Sequence, residues 1–173
     1  MNITAMYFSG TGTTKKVTAA IADELTEIKI SQDETAAGEN PGSIKAGIKL
    51  WQRAADIDFT PPAARREIYR FTPDDLVVFG VPVIAGRVPN VLLKFLDTLQ
   101  GGGALAVPVV LYGNRNFDDA LIELRNILQD RGFYAIGAAA FIGEHSFSRI
   151  LAAGRPDSSD MELSRNFARK LAP

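Results

Sequence analysis

The segment 3–17 constrains the fold of this chain more than any other stretch of the sequence. Its first part, 3–8, is mostly apolar and β-prone and predicts a short buried strand. The turn residues 9–12 follow, and an apolar helical periodicity begins at Val17. At such a strand–loop–helix junction, free backbone N–H groups and the positive end of the helix dipole point at one spot. The segment therefore predicts a phosphate site made of Ser9, Gly10, Thr11, Gly12, Thr13 and Thr14.

The spacing within this loop excludes two common phosphate motifs. The dinucleotide fingerprint requires a third glycine where this chain has Lys15, and no Gly-Lys-Ser/Thr sequence forms a Walker A loop. What remains is the pattern Ser9-x-Thr11-Gly12-x-Thr14. A glycine-rich turn with a threonine cap and no ligand is the structural alternative, since turn chemistry alone explains such residues.

Composition limits the classes of function that the chain can have. With 173 residues we expect one domain, 1–173, and a formal net charge of −1 offers no basic surface for nucleic acid. The absence of cysteine and a single histidine argue against iron–sulfur, thiolate zinc and multi-histidine metal sites, so no metal is expected. No signal peptide or bilayer-length apolar run is visible, which favours a cytoplasmic protein without membrane contact.

Apolar strands alternate with amphipathic helices over most of the sequence. A glycine- and acid-rich stretch, 31–54, is predicted to be an insertion, with a short helix over 44–55. The second strand is either 27–30 or 55–59, and the proline pair after 59 favours the latter. The other expected elements are helix 13–27, strand 75–81, helix 89–99, strand 107–112, a helix capped by Asp118 or Asp119 and ending at 131, strand 133–142 and helix 157–171.

This alternation predicts an α/β fold with a five-stranded parallel sheet covered on both faces and strand order 2-1-3-4-5. Ligands of such sheets bind at the carboxyl ends of the strands, near the switch point between strands one and three. Four loops are expected at that edge: 9–14, 82–89, 113–117 and 143–148.

Four motifs occur along the chain in an order that resembles a known family. They are the 9–14 loop, Val81-Pro82-Val83-Ile84-Ala85-Gly86-Arg87-Val88-Pro89, Tyr112-Gly113-Asn114-Arg115 and Glu144-His145-Ser146-Phe147. Together they resemble the flavodoxin module of proteins in which a flavodoxin domain precedes an iron–sulfur ferredoxin domain. The resemblance implies a flavodoxin-like three-layer α/β/α sandwich, FMN as cofactor and electron transfer as activity. No iron–sulfur domain is expected within these 173 residues, because they contain no cysteine.

The resemblance also implies which residues hold FMN. The 82–87 loop would face the flavin edge that takes up a proton, with Gly86 as its hinge, and the 113–116 loop would donate hydrogen bonds to the ring carbonyls. Ile84 stands where the family usually has an aromatic residue, and Phe117 or Trp51 could replace it. Beyond the phosphate loop, the expected binding residues are Pro82, Val83, Ile84, Ala85, Gly86, Arg87, Gly113, Asn114, Arg115, Asn116 and Phe117.

Three functions remain open from the sequence. The first is an FMN-binding electron carrier that exchanges electrons with a ferredoxin-like protein or a reductase, with no catalytic residue of its own. The second is an FMN-dependent NAD(P)H or quinone oxidoreductase, and the third is a flavodoxin-fold binding domain without flavin. A homodimer is compatible with all three.

Overall fold

The computed structural model describes residues 1–37, 51–148 and 150–171. The elements alternate between strands and helices, and a short 3-10 turn, Ala64–Arg66, lies between the third and fourth strands. In chain order they are β1 (Asn2–Tyr7), α1 (Thr13–Ala37), β2 (Gln52–Arg53), β3 (Ile57–Asp58), β4 (Asp75–Pro82), α2 (Asn90–Leu96), β5 (Leu105–Tyr112), α3 (Ala120–Asp130), β6 (Tyr134–Ala135), β7 (Ala139–Ile142) and α4 (Ser158–Leu171).

The strands form one parallel sheet in the order β2-β1-β4-β5-β6. Two of its positions are each shared by two short strands: β2 and β3 both pair with β1, and β6 and β7 both pair with β5. Counted by position, this is the predicted five-stranded order 2-1-3-4-5, and the α/β flavodoxin-like fold is confirmed. The order reverses between β1 and β4, where Asn2 lies opposite Asp75 and Tyr7 opposite Gly80.

The central strands are buried on both sides, and their side chains divide between two apolar cores. In β4, Val77 and Phe79 belong to the core that contains Leu92 of α2 and Leu124 of α3. Val78, between them, belongs to the opposite core, which includes residues of α1 and α4. Because successive side chains of a strand point to opposite faces, this alternation places α2 and α3 on one face and α1 and α4 on the other.

Helix α1 lies very close to the sheet at Gly80 of β4. A Cβ at that position would lie 2.0 Å from Thr18 Oγ1 and 3.0 Å from Thr14 Cγ2. Thr18 is fully buried, and its hydroxyl donates to the Thr14 carbonyl at 2.8 Å. The absence of a side chain at Gly80 therefore allows the first turns of α1 to lie directly on the sheet.

Several sequence-based boundaries need correction. Helix α1 continues to Ala37, so 27–30 is helical and the second edge position is filled by β2 and β3, near the favoured 55–59. The helix expected over 44–55 falls partly outside the described residues, and its described part contains the strand Gln52–Arg53 instead. Of the insertion expected at 31–54, residues 38–50 lie outside the described part of the chain.

The last strand is interrupted, whereas a continuous strand over 133–142 was expected. Tyr134–Ala135 and Ala139–Ile142 are separate strands, and Gly137 lies between them. A Cβ on Gly137 would meet Leu171 Cδ2 at 2.3 Å, so the end of α4 packs directly over the interruption. Within the described residues, no helix combines the length and apolarity that crossing a membrane requires.

Candidate functional site

Four loops at the carboxyl ends of β1, β4, β5 and β7 surround a cavity of about 510 Å³. This is the edge of the sheet, at the β1/β4 switch point, where the sequence places the site. The cavity is lined by Phe8, Gly10, Thr11, Thr13, Thr14, Pro82, Val83, Ile84, Ala85, Gly86, Leu111, Tyr112, Gly113, Arg115, Asn116, Asp118, Gly143, Glu144, His145, Ser146 and Phe147.

The 9–14 loop forms the wall of the cavity beside the N-terminus of α1. Ser9 holds the loop in shape, because its Oγ accepts from the Lys15 N–H at 3.0 Å and its own N–H donates to Thr60 Oγ1 at 2.8 Å. The Thr11 and Thr13 hydroxyl oxygens lie 3.2 Å apart. The hydroxyl of Ser9 thus closes the loop, whereas Thr11, Thr13 and Thr14 line the cavity.

The two glycines of this loop leave space open at the helix N-terminus. A Cβ on Gly10 or Gly12 would meet no atom within 4 Å, and Gly12 has φ +86°, a conformation that favours glycine. The first turn of α1 contains no acidic residue that could compete for its free N–H groups. An anion can therefore reach these donors without displacing a protein side chain.

A tight turn at Ile84–Arg87 forms the second wall. The N–H and carbonyl of Ile84 and Arg87 bond reciprocally, each at 3.1 Å. The two residues inside the turn have positive φ, +52° at Ala85 and +75° at Gly86. A Cβ on Gly86 would lie 2.5 Å from Asp118 Oδ2, so the turn packs directly against the loop that precedes α3.

Glu123 of α3 anchors this turn from outside the cavity. Its Oε1 accepts from Arg87 Nη2 at 2.6 Å, and its Oε2 accepts from Arg87 Nε at 3.0 Å and from the Val88 N–H at 2.8 Å. The Arg87 hydrogen bonds hold the pKa of the Glu123 carboxyl below its ordinary value, and the Val88 N–H acts in the same direction against the effect of burial. Arg87 was expected at the flavin, but its guanidinium pairs with Glu123 and the residue does not line the cavity.

The loop after β5 approaches the loop after β7 very closely at Gly113. A Cβ there would lie 2.9 Å from His145 Cα and 3.0 Å from His145 Cβ. Within the β5 loop, the Asn116 side-chain oxygen accepts from the N–H groups of Phe117 and Asp118, at 2.8 and 3.3 Å. Asn116 thus serves as a turn residue as well as lining the cavity.

The loop after β7 presents an exposed aromatic ring to the cavity. The Phe147 N–H donates to His145 Nδ1 at 3.1 Å, and the two rings meet edge-on with centroids 6.2 Å apart. The Phe147 side chain is 88% exposed although it lines the cavity. Ile84, also at the cavity, is 46% exposed.

Charges of both signs line the cavity. Arg115 is an exposed cation, and Asp118 and Glu144 are exposed carboxylates. A cation beside a reduced flavin stabilises its negative charge and so raises its reduction potential. With Arg87 paired to Glu123, the two carboxylates oppose Arg115, and this reason for a raised potential is weakened.

The structure brings most of the sequence-predicted binding residues to one cavity, but some lie elsewhere. Phe117 packs against Tyr112, with ring centroids 5.6 Å apart, and against the core beneath α3, while Trp51 packs against the core on the α1/α4 face. Neither aromatic residue lines the cavity. The predicted residues outside the lining are Ser9, Gly12, Arg87, Asn114 and Phe117.

Sequence reasoning also missed part of the lining. No binding role was predicted for Glu144, His145, Ser146 and Phe147, although all four line the cavity; their place at a strand's carboxyl end was the available signal. Phe8, the last apolar residue before the phosphate loop, was predicted to end the first strand; it follows β1 and lines the cavity. The remaining missed residues are Leu111, Tyr112, Asp118 and Gly143.

Similar structures share this architecture over nearly the whole chain. A flavodoxin from the domain Archaea matches with a TM-score of 0.58 at 14% identity, covering 99% of this chain and 96% of its own. Oxidised flavodoxin 2 from Bacillus cereus matches with a TM-score of 0.61 at 14% identity, covering 99% and 97%. An NADH:FMN oxidoreductase in its apo form matches with a TM-score of 0.60 at 18% identity, covering 98% and 87%.

Neither a protein-family model nor a curated protein matches the sequence. At identities of 14–18% the likeness to solved structures establishes the fold and leaves the ligand to be argued from the site.

Proposed function

We propose that this chain binds FMN in the cavity at the β1/β4 switch point and serves as an electron-transfer protein of the flavodoxin type. The observation that carries the proposal is the 9–14 loop, which opens into the cavity at the N-terminus of α1. Two of the three structures described above are flavodoxins and the third is an NADH:FMN oxidoreductase, which supports a flavin as the ligand.

The residues of the loop fit the phosphate of FMN. The space beside Gly10 and Gly12 is open, since a Cβ at either position would meet no atom within 4 Å. Thr11, Thr13 and Thr14 line the cavity beside this space. Backbone N–H groups at a helix N-terminus, together with hydroxyl donors, bind phosphate without needing a lysine or arginine. Ser9 acts indirectly in this arrangement, because its hydroxyl already accepts from the Lys15 N–H.

The rest of the cavity fits a flat, mixed polar and apolar ring system. Val83 and Ile84 supply apolar surface, and Arg115 and Asn116 supply donors at the opposite loop. When bound, FMN supplies reversible one- and two-electron chemistry. The protein's part is to bind and orient the cofactor, to limit its contact with water and to present hydrogen-bonding groups of the 84–87 turn and the 113–116 loop at its edges.

An oxidoreductase that takes hydride from NAD(P)H is the second candidate, and the likeness to the NADH:FMN oxidoreductase favours considering it. The two functions differ in a simple assay. A carrier oxidises NAD(P)H negligibly until a reductase is added, whereas an oxidoreductase turns it over alone. We favour the carrier, whose partners would be other redox proteins, because two of the three structures compared above are flavodoxins.

The test is the visible absorption spectrum of the purified full chain, recorded before and after incubation with FMN and desalting. We expect a retained flavin spectrum at close to one FMN per chain. Riboflavin, which has the same ring and no phosphate, should bind more weakly, because it forgoes the donors at the α1 N-terminus. A protein that retains no FMN would refute the proposal, and equal affinities for FMN and riboflavin would refute the assignment of the 9–14 loop to the phosphate.

A further inference from the structure

We infer that Phe147 packs its ring face against the isoalloxazine of the bound flavin and so contributes to flavin affinity. The inference rests on the proposed function and adds to it a residue from the loop after β7. Among the described residues no large apolar side chain is more exposed than Phe147, at 88%, and it lines the cavity. A phenyl ring held in water at the mouth of a ligand site has surface to bury when a ligand arrives.

The loop that carries Phe147 is held in shape by several hydrogen bonds. The His145 N–H donates to the Leu151 carbonyl at 3.3 Å, and the Ser148 N–H donates to the His145 carbonyl at 3.2 Å. The Ser148 hydroxyl oxygen accepts from the N–H groups of Ile150 and Leu151, at 3.3 and 3.1 Å. With the Phe147 N–H also bonded to His145 Nδ1, the backbone at Phe147 is held by hydrogen bonds, and less entropy is lost when its ring is covered.

The base of this loop is hydrogen-bonded to two neighbours, of which Tyr112 lines the cavity. The Gly143 N–H donates to the Tyr112 carbonyl at 2.9 Å, and the Glu144 N–H donates to the Arg155 carbonyl at 2.9 Å. The close approach of His145 to Gly113 adds a direct contact with the β5 loop. The position of Phe147 is therefore set relative to the loops that would hold the flavin edges.

Phe8 and Tyr112, which also line the cavity, are half-buried among protein neighbours, whereas Phe147 is exposed. Phe8 packs against Phe59, with centroids 6.2 Å apart, and lies under the Arg65 guanidinium. Tyr112 packs against Phe117. Since Phe117 and Trp51 do not line the cavity, Phe147 is, within the described part of the chain, the cavity aromatic with its ring most available to a ligand.

The first test measures flavin affinity in matched alanine variants of one loop. Ile150 is the control, because it is 86% exposed and does not line the cavity. Stacking of a base on an aromatic ring is worth about 1–3 kcal/mol, so Phe147→Ala should weaken binding by roughly 5- to 150-fold. Ile150→Ala should change it by less than about threefold, given that surface substitutions are usually within ~0.5 kcal/mol. Because the ring and not the phosphate is affected, FMN and riboflavin should lose affinity by the same factor.

The second test reports contact directly and is insensitive to a merely structural role. An indole in contact with a flavin quenches flavin fluorescence. Phe147→Trp should therefore lower the emission of the bound flavin below the wild-type value, whereas Ile150→Trp should leave it unchanged. Folding of all four variants is checked by circular dichroism.

The outcomes separate this inference from the proposed function. If wild-type protein binds FMN and Phe147→Ala binds it equally well, the stacking role is wrong and FMN binding stands. If Phe147→Ala retains affinity but slows electron exchange with a protein reductant, the ring belongs to a docking surface and the inference is equally refuted. A wild-type protein that binds no flavin refutes both.

Discussion

Replacing Glu123 tests whether the cavity wall at 84–88 depends on an anchor outside the cavity. The Glu123 side chain is only 17% exposed, and its carboxylate accepts from both the Val88 N–H and the Arg87 guanidinium. Val88 is itself 1% exposed, so in Glu123→Ala its N–H would lose a charged acceptor in a place that water reaches poorly. The exposed guanidinium of Arg87, by contrast, can return to water.

The expected magnitude follows from the Val88 hydrogen bond. Hydrogen bonds to charged groups contribute about 1.5–3 kcal/mol, so Glu123→Ala should lower the free energy of unfolding by about 2 kcal/mol at pH 7. For a domain of this size that corresponds to a melting temperature lower by roughly 4–8 °C. Arg87→Ala should have a much smaller effect, because it leaves the bond from the Val88 N–H to Glu123 in place.

The charge of Glu123 makes part of this effect depend on pH. Its folded-state pKa is depressed, so its contribution is complete above the unfolded value of about 4.3 and is lost as pH falls through the folded pKa. Glu123→Gln should therefore be less stable than wild type at pH 7, and the difference should shrink as the pH is lowered below about 4.

Urea unfolding of wild type, Glu123→Ala, Glu123→Gln and Arg87→Ala, followed at pH 7 and at acidic pH, measures these differences. The apo proteins are used, so that ligand binding does not contribute to stability. If Arg87→Ala is as destabilising as Glu123→Ala, the Val88 bond is not the main contribution and the reasoning is wrong. A Glu123→Gln effect that persists unchanged in acid would refute the electrostatic part.

Three further substitutions test other parts of the structure. Gly113→Ala should weaken FMN binding, measured by flavin fluorescence, because the added Cβ would lie 2.9 Å from His145 Cα and displace the loop after β7. Unchanged affinity would show that FMN binding does not depend on the position of this loop. Ala85→Gly should stabilise the protein against urea by about 0.5–1 kcal/mol, because φ at Ala85 is +52°; destabilisation would contradict this. Asp160→Asn should lower the free energy of unfolding by about 2 kcal/mol at neutral pH, measured by thermal unfolding, because hydrogen bonds from Arg155 lower the pKa of this buried carboxyl. The difference from wild type should diminish as pH falls through that pKa.

The sequence was sufficient for the parts of the molecule that local chemistry determines. The 9–14 turn residues between an apolar run and a helical period predicted the β1–α1 junction, and α1 begins at Thr13 as expected. The continuous apolar run of β4 likewise predicted a strand buried on both faces. The structure confirms this, because Val77 and Val78 belong to opposite cores. Parallel strands with helical crossovers then limited the topology to few choices.

The sequence was insufficient where tertiary contacts decide the outcome. Nothing near Arg87 in the sequence indicated that Glu123, on α3, would neutralise it. The interruption of the last strand at Gly137 depends on Leu171, which lies 34 residues away at the end of α4. The place of Phe147 in the cavity depends on the close approach of the loop after β7 to Gly113. The spacing of the motifs in the sequence does not predict the path of that loop.

The close packing at Gly80 links a position in the middle of the sheet to ligand affinity. Any side chain added there would collide with Thr18 and push α1 away from the sheet, and the anion-binding end of the helix would move with it. Residues 80 and 18 are therefore expected to vary together among related sequences, with a larger residue at 80 tolerated only after a smaller one has appeared at 18. An engineer who enlarges this core for stability would, by the same geometry, be changing the binding site from a distance.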